Sequence, residues 1–248
     1  MTRDADFRAA QARRFAAADP AHFAWQVGGP GFAPLEAELL APVRAAFATP
    51  YVEIGCGEGA NFVHVGGAGL RVGLDAFPAK LAFARRHVPG VAFAGADATA
   101  LPLRDASVRL VLVRDVLHHL PEPGRAVAEA VRVLAPGGRL FVVEPNGANP
   151  LVAAQARVMR AEQGLRASRR AALEAIVRAA PLADVRVEMR QPLPLRRLVL
   201  HHRFGLPALG RAARVGRALG RVEAALGRLL PRARWAYIVL SAVKAGQG

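Results

Sequence analysis

"YVEIGCGEGANF", residues 51–62, sets three glycines on alternate positions directly after a short apolar run. Gly55, Gly57 and Gly59 suit a strand that turns tightly into a helix. Glycine tolerates that turn and lets a ligand lie against bare main chain. Dinucleotide folds use a similar device with the spacing G-x-G-x-x-G. Here the spacing is G-x-G-x-G, with the acidic Glu53 inside the strand just before it. The glycines alone do not choose the ligand, so the surrounding chain has to.

Outward from this loop the sequence alternates regularly. Apolar runs at 51–55, 70–75, 91–97, 108–115 and 139–145 read as strands. The stretch "PAKLAFARRHV" between the second and third is helical by period, and Pro78 suits a helix start. In "EPGRAVAEAVRVLAPGG", Ala126, Val127, Ala130, Val131 and Leu134 make one apolar face, and "APGG" ends the helix. Buried, near-continuous apolar strands alternating with helices predict a parallel α/β sheet. The first crossover is short and broken by "VGGAG", so its helix should be short too. Before the sheet, residues 3–18 and 34–47 read as helices joined by the glycine- and proline-rich link "HFAWQVGGPGF". After it come a helical stretch to about residue 180 and strands at 184–190 and 235–243.

The composition narrows the class. Fifty-three per cent hydrophobic content argues against disorder, and no apolar run approaches the roughly 18 residues that cross a bilayer. The start "MTRDADFRAAQARR" has no apolar signal core. Cys56, the single cysteine, rules out an internal disulfide and a multi-cysteine zinc site, and fits a reducing, cytoplasmic setting. The net charge of +15 is uneven: residues 1–150 hold 15 Lys+Arg against 14 Asp+Glu, and residues 151–248 hold 19 against 5. The second part is therefore expected to meet something anionic.

Four blocks in order, "VEIGCGEG", "VGLD", "GADATALPLRDASVRLVLVRDVLHHLPEP" and "AEAVRVLAPGGRLFVVEPN", resemble the class I S-adenosylmethionine-dependent methyltransferases, in particular the UbiE-like small-molecule group. The resemblance covers roughly residues 50–146. It implies a Rossmann-like three-layer sandwich, with a seven-stranded, mostly parallel sheet in the order 3-2-1-4-5-7-6 and the seventh strand antiparallel. It implies S-adenosylmethionine as cofactor, S-adenosylhomocysteine as product, and no metal. Gly55, Gly57 and Gly59 would pass beneath the methionine and ribose parts, with Cys56 in the same loop, and Glu53 fills the family's acidic position. Asp75, with Ala76 beside it, would accept from both ribose hydroxyls. Asp97, with Ala98 alongside, would accept from the adenine amino group. Arg114 would present its backbone to the methionine end. Each of these residues stands at the carboxyl end of a strand, where open α/β sheets bind ligands. Turn formation or helix capping is the plain alternative for the two aspartates.

Methyl transfer to a hydroxyl usually also requires a general base. His118 and His119, just after the fourth strand, are the candidates, with His118 preferred; loop anchoring is the alternative. No "DPPY"-type tetrad follows that strand, and no acidic cluster suggests a divalent metal. Phe23, Trp25 and Phe32 are expected either in a lid over the site or in the core of the first helices.

The chain thus divides into a helical lid (1–48), a core (49–190 plus 235–248) and a basic helical insertion (191–234). Within the insertion Val215, Leu219, Val222, Leu226 and Leu229 recur at spacings of 4, 3, 4 and 3, with Arg214, Arg217, Arg221 and Arg228 on the far side. Gly216, Gly220 and Gly227 weaken that helix. A solvated face, an interfacial helix on an anionic membrane or lipid-like acceptor, and RNA binding are the three readings. RNA is the weakest, because Phe204 is the segment's only aromatic. The expected function is methylation of oxygen or carbon on a small, apolar or lipid-like acceptor. RNA or protein methylation, and a non-catalytic cofactor-binding module, are the alternatives. The sequence leaves the oligomeric state open.

Overall fold

In the computed structural model, which describes residues 3–203 and 205–246, the strands form one seven-stranded sheet. They are β1 (Tyr51–Ile54), β2 (Arg71–Asp75), β3 (Ala92–Gly95), β4 (Val108–Arg114), β5 (Leu134–Pro145), β6 (Leu182–Arg190) and β7 (Tyr237–Lys244). Their order is 3-2-1-4-5-7-6, with β7 antiparallel to both neighbours and the other pairings parallel. Phe204 and the first two residues of the lid stretch lie outside the described residues.

Alternate side chains along each strand feed two cores. Tyr51, Leu110, Leu112, Phe141 and Val143 join Phe62, Leu81 and Ala84 on one face. Val52, Ile54, Val111, Val113, Leu140 and Val142 join Ala126, Val127, Leu173 and Val177 on the other. The first face is covered by α5 (Ala60–Val65), α6 (Pro78–His87) and α8 (Pro150–Val158). The second is covered by α7 (Pro123–Val133) and α9 (Arg170–Arg178). Burial of each such Leu or Val is worth about 1.5–3 kcal/mol, so the sheet is fixed from both sides. Helix α5 has only six residues, as the broken first crossover requires.

The lid differs from its sequence reading. It has four helices: α1 (Arg3–Phe15), α2 (Pro20–Gly28), α3 (Ala33–Leu39) and α4 (Ala41–Ala45). Most of the expected link is therefore helical. Asp19 caps α2 by accepting from His22 N, and Pro20 preorganises the first turn, which outweighs the later glycines.

Between β6 and β7 run α10 (Leu195–Val199), a short 3-10 turn (Pro207–Arg211) and α11 (Ala213–Leu229). This insertion is tied to the lid. Trp25 Nε1 donates to Leu200 O at 2.7 Å, Arg203 pairs with Asp19 at 2.5 Å, and Gln191 Nε2 donates to Leu35 O at 3.0 Å. Trp25 and Phe32 stack at 3.4 Å between centroids and, with Leu35, form a small third core under these ties. Phe23 packs edge-on against Phe83. Trp25 and Phe32 are thus core residues of the first helices, and Phe23 packs half-buried against the sheet's core. Phe15 is the ring that spans the sheet's mouth, 5.0 Å from His119 after β4 and 6.0 Å from Phe77 after β2.

Candidate active site

The glycine loop leaves β1 with positive φ at Gly55, Gly57 and Gly59 (72°, 53° and 82°), which is why side chains are excluded there. A Cβ on Gly55 would stand 2.1 Å from Val116 Cγ2, so it is sterically locked as well. Gly57 faces open space apart from Lys80 Nζ at 3.8 Å, leaving bare main chain to meet a ligand. Asp75, at the end of the adjacent β2, ties down this loop. Its Oδ2 accepts from Gly57 N at 2.8 Å and its Oδ1 from Phe77 N at 2.9 Å. Burial raises its pKa above the usual aspartate range, against those two bonds. Glu58 joins loop to lid, accepting from Asp19 N and pairing with Lys80 at 3.2 Å.

Asp97 is exposed after β3 and binds Thr99 N and Thr99 Oγ1, both through Oδ1. Those two bonds lower its pKa, and neither uses Oδ2. Ala98 is half-buried beside it, and Ala76 is exposed beside Asp75.

Three sequence expectations change on contact with the structure. The Cys56 side chain is turned away from the loop's open side into the core, buried and close to where a Cβ on Gly73 would stand. Burial pushes its thiol up, so it offers a ligand only main chain. Glu53 is fully buried behind the loop, accepting from Asn61 Nδ2 at 2.5 Å, with Tyr51 Oη at 3.5 Å. Burial lifts its pKa to about 8, so it is a neutral brace. Arg114 is more than a backbone position. Its guanidinium donates to Asn61 Oδ1 at 2.7 Å and Glu36 Oε2 at 2.6 Å, and pairs with Asp115 at 3.1 Å. Glu36, from the lid, also pairs with Arg197 of the insertion at 2.5 Å. Burial opposes the Glu36 charge, but the two arginines outweigh it and hold its pKa near 2.

His118 is the fourth change. Its Nδ1 meets Glu144 Oε2 at 2.5 Å and its Nε2 meets Glu162 Oε2 at 3.4 Å. Burial disfavours the cation, but Glu144 and then Glu162 overcome this and raise its pKa to about 10. Glu144 also accepts from Val116 N and Leu117 N, so the carboxylate is fully engaged. A base needs a free lone pair aimed at substrate. His118 has a carboxylate at each nitrogen and holds its proton, so the base role does not fit it. His119 suits the anchoring alternative: Gln11 Nε2 lies 3.0 Å from its Nδ1 and donates to its carbonyl, and burial lowers its pKa to about 4. His118, His119 and Glu162 also bring three metal-ligand-type atoms within 4.8 Å of one another. An ion there would have to displace the His118 proton. Glu162 reaches the two histidines from the segment after α8, so no local spacing reveals this group.

One further residue was missed. Asp115, directly after β4, adopts φ 53°, rare for a residue with a side chain. Its Oδ2 meets Arg114, whereas Oδ1 is buried without a hydrogen-bond partner. Burial raises its pKa, and Arg114 opposes that rise.

The family described as "Methyltransferase domain" matches residues 52–142, from β1 to the middle of β5. Residues 52–142 are a class I methyltransferase domain. This domain is 37% identical over 94 residues to a demethylmenaquinone methyltransferase of Renibacterium salmoninarum, covering 38% of this chain and 40% of that protein. It is 38% identical over 113 residues to a trans-aconitate 2-methyltransferase of Methylobacterium nodulans, covering 44% and 43%. The chain thus spans less than half the length of these relatives. A solved SAM-dependent methyltransferase of Thermotoga maritima shares the fold with a TM-score of 0.66 at 19% identity, over 90% of this chain and 94% of its own. Among the described residues no helix is long and apolar enough to cross a membrane.

Proposed function

We propose that the protein transfers a methyl group from S-adenosylmethionine to oxygen or carbon of a small, apolar or lipid-like acceptor. The observation that carries this reading is the junction of β1 and β2, where bare main chain at Gly57 meets the Asp75 carboxylate. The residues fit the cofactor: a Cβ-free cradle suits a ligand lying on the loop, and Asp75 retains acceptor capacity on both oxygens for vicinal hydroxyls. Asp97 Oδ2 is an acceptor for an exocyclic amine. When bound, S-adenosylmethionine supplies an activated methyl on a sulfonium, so the protein's share is alignment and exclusion of water. Phe15 and the lid close the mouth of the sheet. Asp115 takes the acceptor's proton, its unpartnered Oδ1 standing beside the strand end that the methionine portion would meet. The apolar acceptor is supported by the demethylmenaquinone relative and by the aliphatic, arginine-rich insertion tied to the lid.

Asp75→Ala should weaken S-adenosylmethionine and S-adenosylhomocysteine binding by about 10- to 150-fold, the loss of a hydrogen bond involving a charged group. Calorimetry of the intact chain and the variant tests this. Binding of NAD but not S-adenosylmethionine by the intact chain would overturn the reading.

A further inference from the structure

The insertion leaves an apolar surface without a partner. Among the described residues nine large apolar side chains are exposed, and six of them, Leu198, Leu206, Leu209, Val222, Leu226 and Leu229, fall in this one segment. Leu206 is 62% exposed, Val222 48% and Leu229 81%. Scattered exposed leucines are ordinary, but a cluster on adjoining elements marks an interaction surface. Helix α11 packs against both α10, which carries Leu198, and the 3-10 turn, which carries Leu209 and directly follows Leu206.

The way α11 is seated explains the exposure. Glu223 is buried and accepts from Arg196 N at 2.7 Å while pairing with the Arg196 guanidinium. A Cβ on Gly227 would stand 2.6 Å from the Pro192 ring, and one on Gly220 3.7 Å from Arg196. Gly220, Glu223 and Gly227 recur at spacings of 3 and 4, so they make one stripe, and that stripe is the seat. Gly227, one of the glycines that weaken the isolated helix, is the one whose missing Cβ lets it sit close to the body. At 100° per residue, Val222, Leu226 and Leu229 fall on a second stripe about a third of a turn away. Arg214, Arg217, Arg221 and Arg228 fall on a third. All four arginines are exposed, and among the described residues none has an ion-pair partner. Three of the segment's other arginines, Arg196, Arg197 and Arg203, are instead each paired with a carboxylate.

We propose that this face docks on an anionic phospholipid surface, with Val222, Leu226, Leu229 and Leu206 entering the headgroup boundary and the four free arginines lying among the phosphates. The charge is complementary: residues 191–234 contain ten arginines and a single acidic residue, Glu223, which is buried in the seat. An aliphatic stripe flanked by arginines on a helix held by its third side is the arrangement of an in-plane interfacial helix. Nucleic acid fits less well, since the exposed side chains are aliphatic and give bases nothing to stack on. The inference does not depend on which acceptor is methylated.

The test is flotation of the full chain with vesicles of pure phosphatidylcholine, and of phosphatidylcholine mixed equally with phosphatidylglycerol. The intact chain should float with the anionic vesicles only, and less as salt rises. Each arginine near such a surface is worth about fivefold in partitioning. Changing Arg214, Arg217, Arg221 and Arg228 together to Gln should therefore cut partitioning by more than about tenfold. Val222→Ser, Leu226→Ser and Leu229→Ser together should also abolish most of it. All seven positions are exposed, and circular dichroism should report unchanged folding. Equal partitioning of the intact chain and both variants, or none by the intact chain, would overturn the proposal. So would salt-sensitive binding to RNA that displaces the vesicles, or a dimer in solution that the serine variant dissociates.

Discussion

His118→Ala should destabilise the protein by about 3–5 kcal/mol, because it strips the shared partner from two buried carboxylates, Glu144 and Glu162. For a chain of this length that is roughly a 10 °C fall in melting temperature. The pH dependence follows from the direction of each shift. The folded pKa of His118 is raised to about 10, so its contribution is complete below its unfolded value of 6.5 and is lost as pH rises through about 10. The pKa values of Glu144 and Glu162 are lowered, so their share is present above the unfolded value of 4.5 and is lost as pH falls. The gap between intact chain and variant should thus be widest between 4.5 and 6.5 and narrow in alkali. Thermal melts at about pH 6 and about pH 9.5 measure it. A gap under about 1 kcal/mol at the lower pH, or one that widens in alkali, would return His118 to the pool of candidate bases.

The fold was legible because its determinants are local and periodic. Alternating apolar residues in β1, β2, β4 and β5 can only point to two faces, and the glycine loop fixes where the first strand turns. Asp75 and Asp97 were legible for the same reason, each lying directly at a strand end. One partner of each is also near, Phe77 and Thr99 lying two residues on, whereas Asp75 holds Gly57 N across 18 positions. What escaped depends on contacts across the chain. Glu36 reaches Arg114 over 78 positions and Gln11 reaches His119 over 108, and no spacing rule connects such pairs. The histidine pair illustrates the cost. "LHHL" reads as a base next to a cofactor until Glu144 and Glu162 arrive from β5 and the segment after α8, and then the favoured ring is a held cation. The three glycines of α11 misled in the opposite sense. Read as helix weakeners, they include Gly227, the position that lets the helix approach Pro192.

Asp115→Asn should lower turnover by about 10²–10⁴-fold while leaving the fold and cofactor affinity nearly unchanged. The substitution is chosen for its backbone. Asp115 sits at φ 53°, and asparagine is among the few residues with a side chain that tolerate this region. Asn is also nearly isosteric, so the contact with Arg114 survives as a hydrogen bond from the guanidinium to the amide oxygen. What disappears is the charge on Oδ1, the buried oxygen with no partner in the protein. An orphan acceptor in a half-buried carboxylate costs stability unless a ligand supplies the missing donor. Under the proposed reaction a hydroxyl of the acceptor would be that donor, and the upward shift of the Asp115 pKa would improve it as a base. The intact enzyme should therefore lose activity as acid protonates Asp115, on a limb displaced upward from the ordinary aspartate value, and the variant should lack that limb. Steady-state rates against pH with the identified acceptor decide it. If the variant keeps its turnover but its KM for S-adenosylmethionine rises, the carboxylate holds the cofactor and the proton leaves by another route.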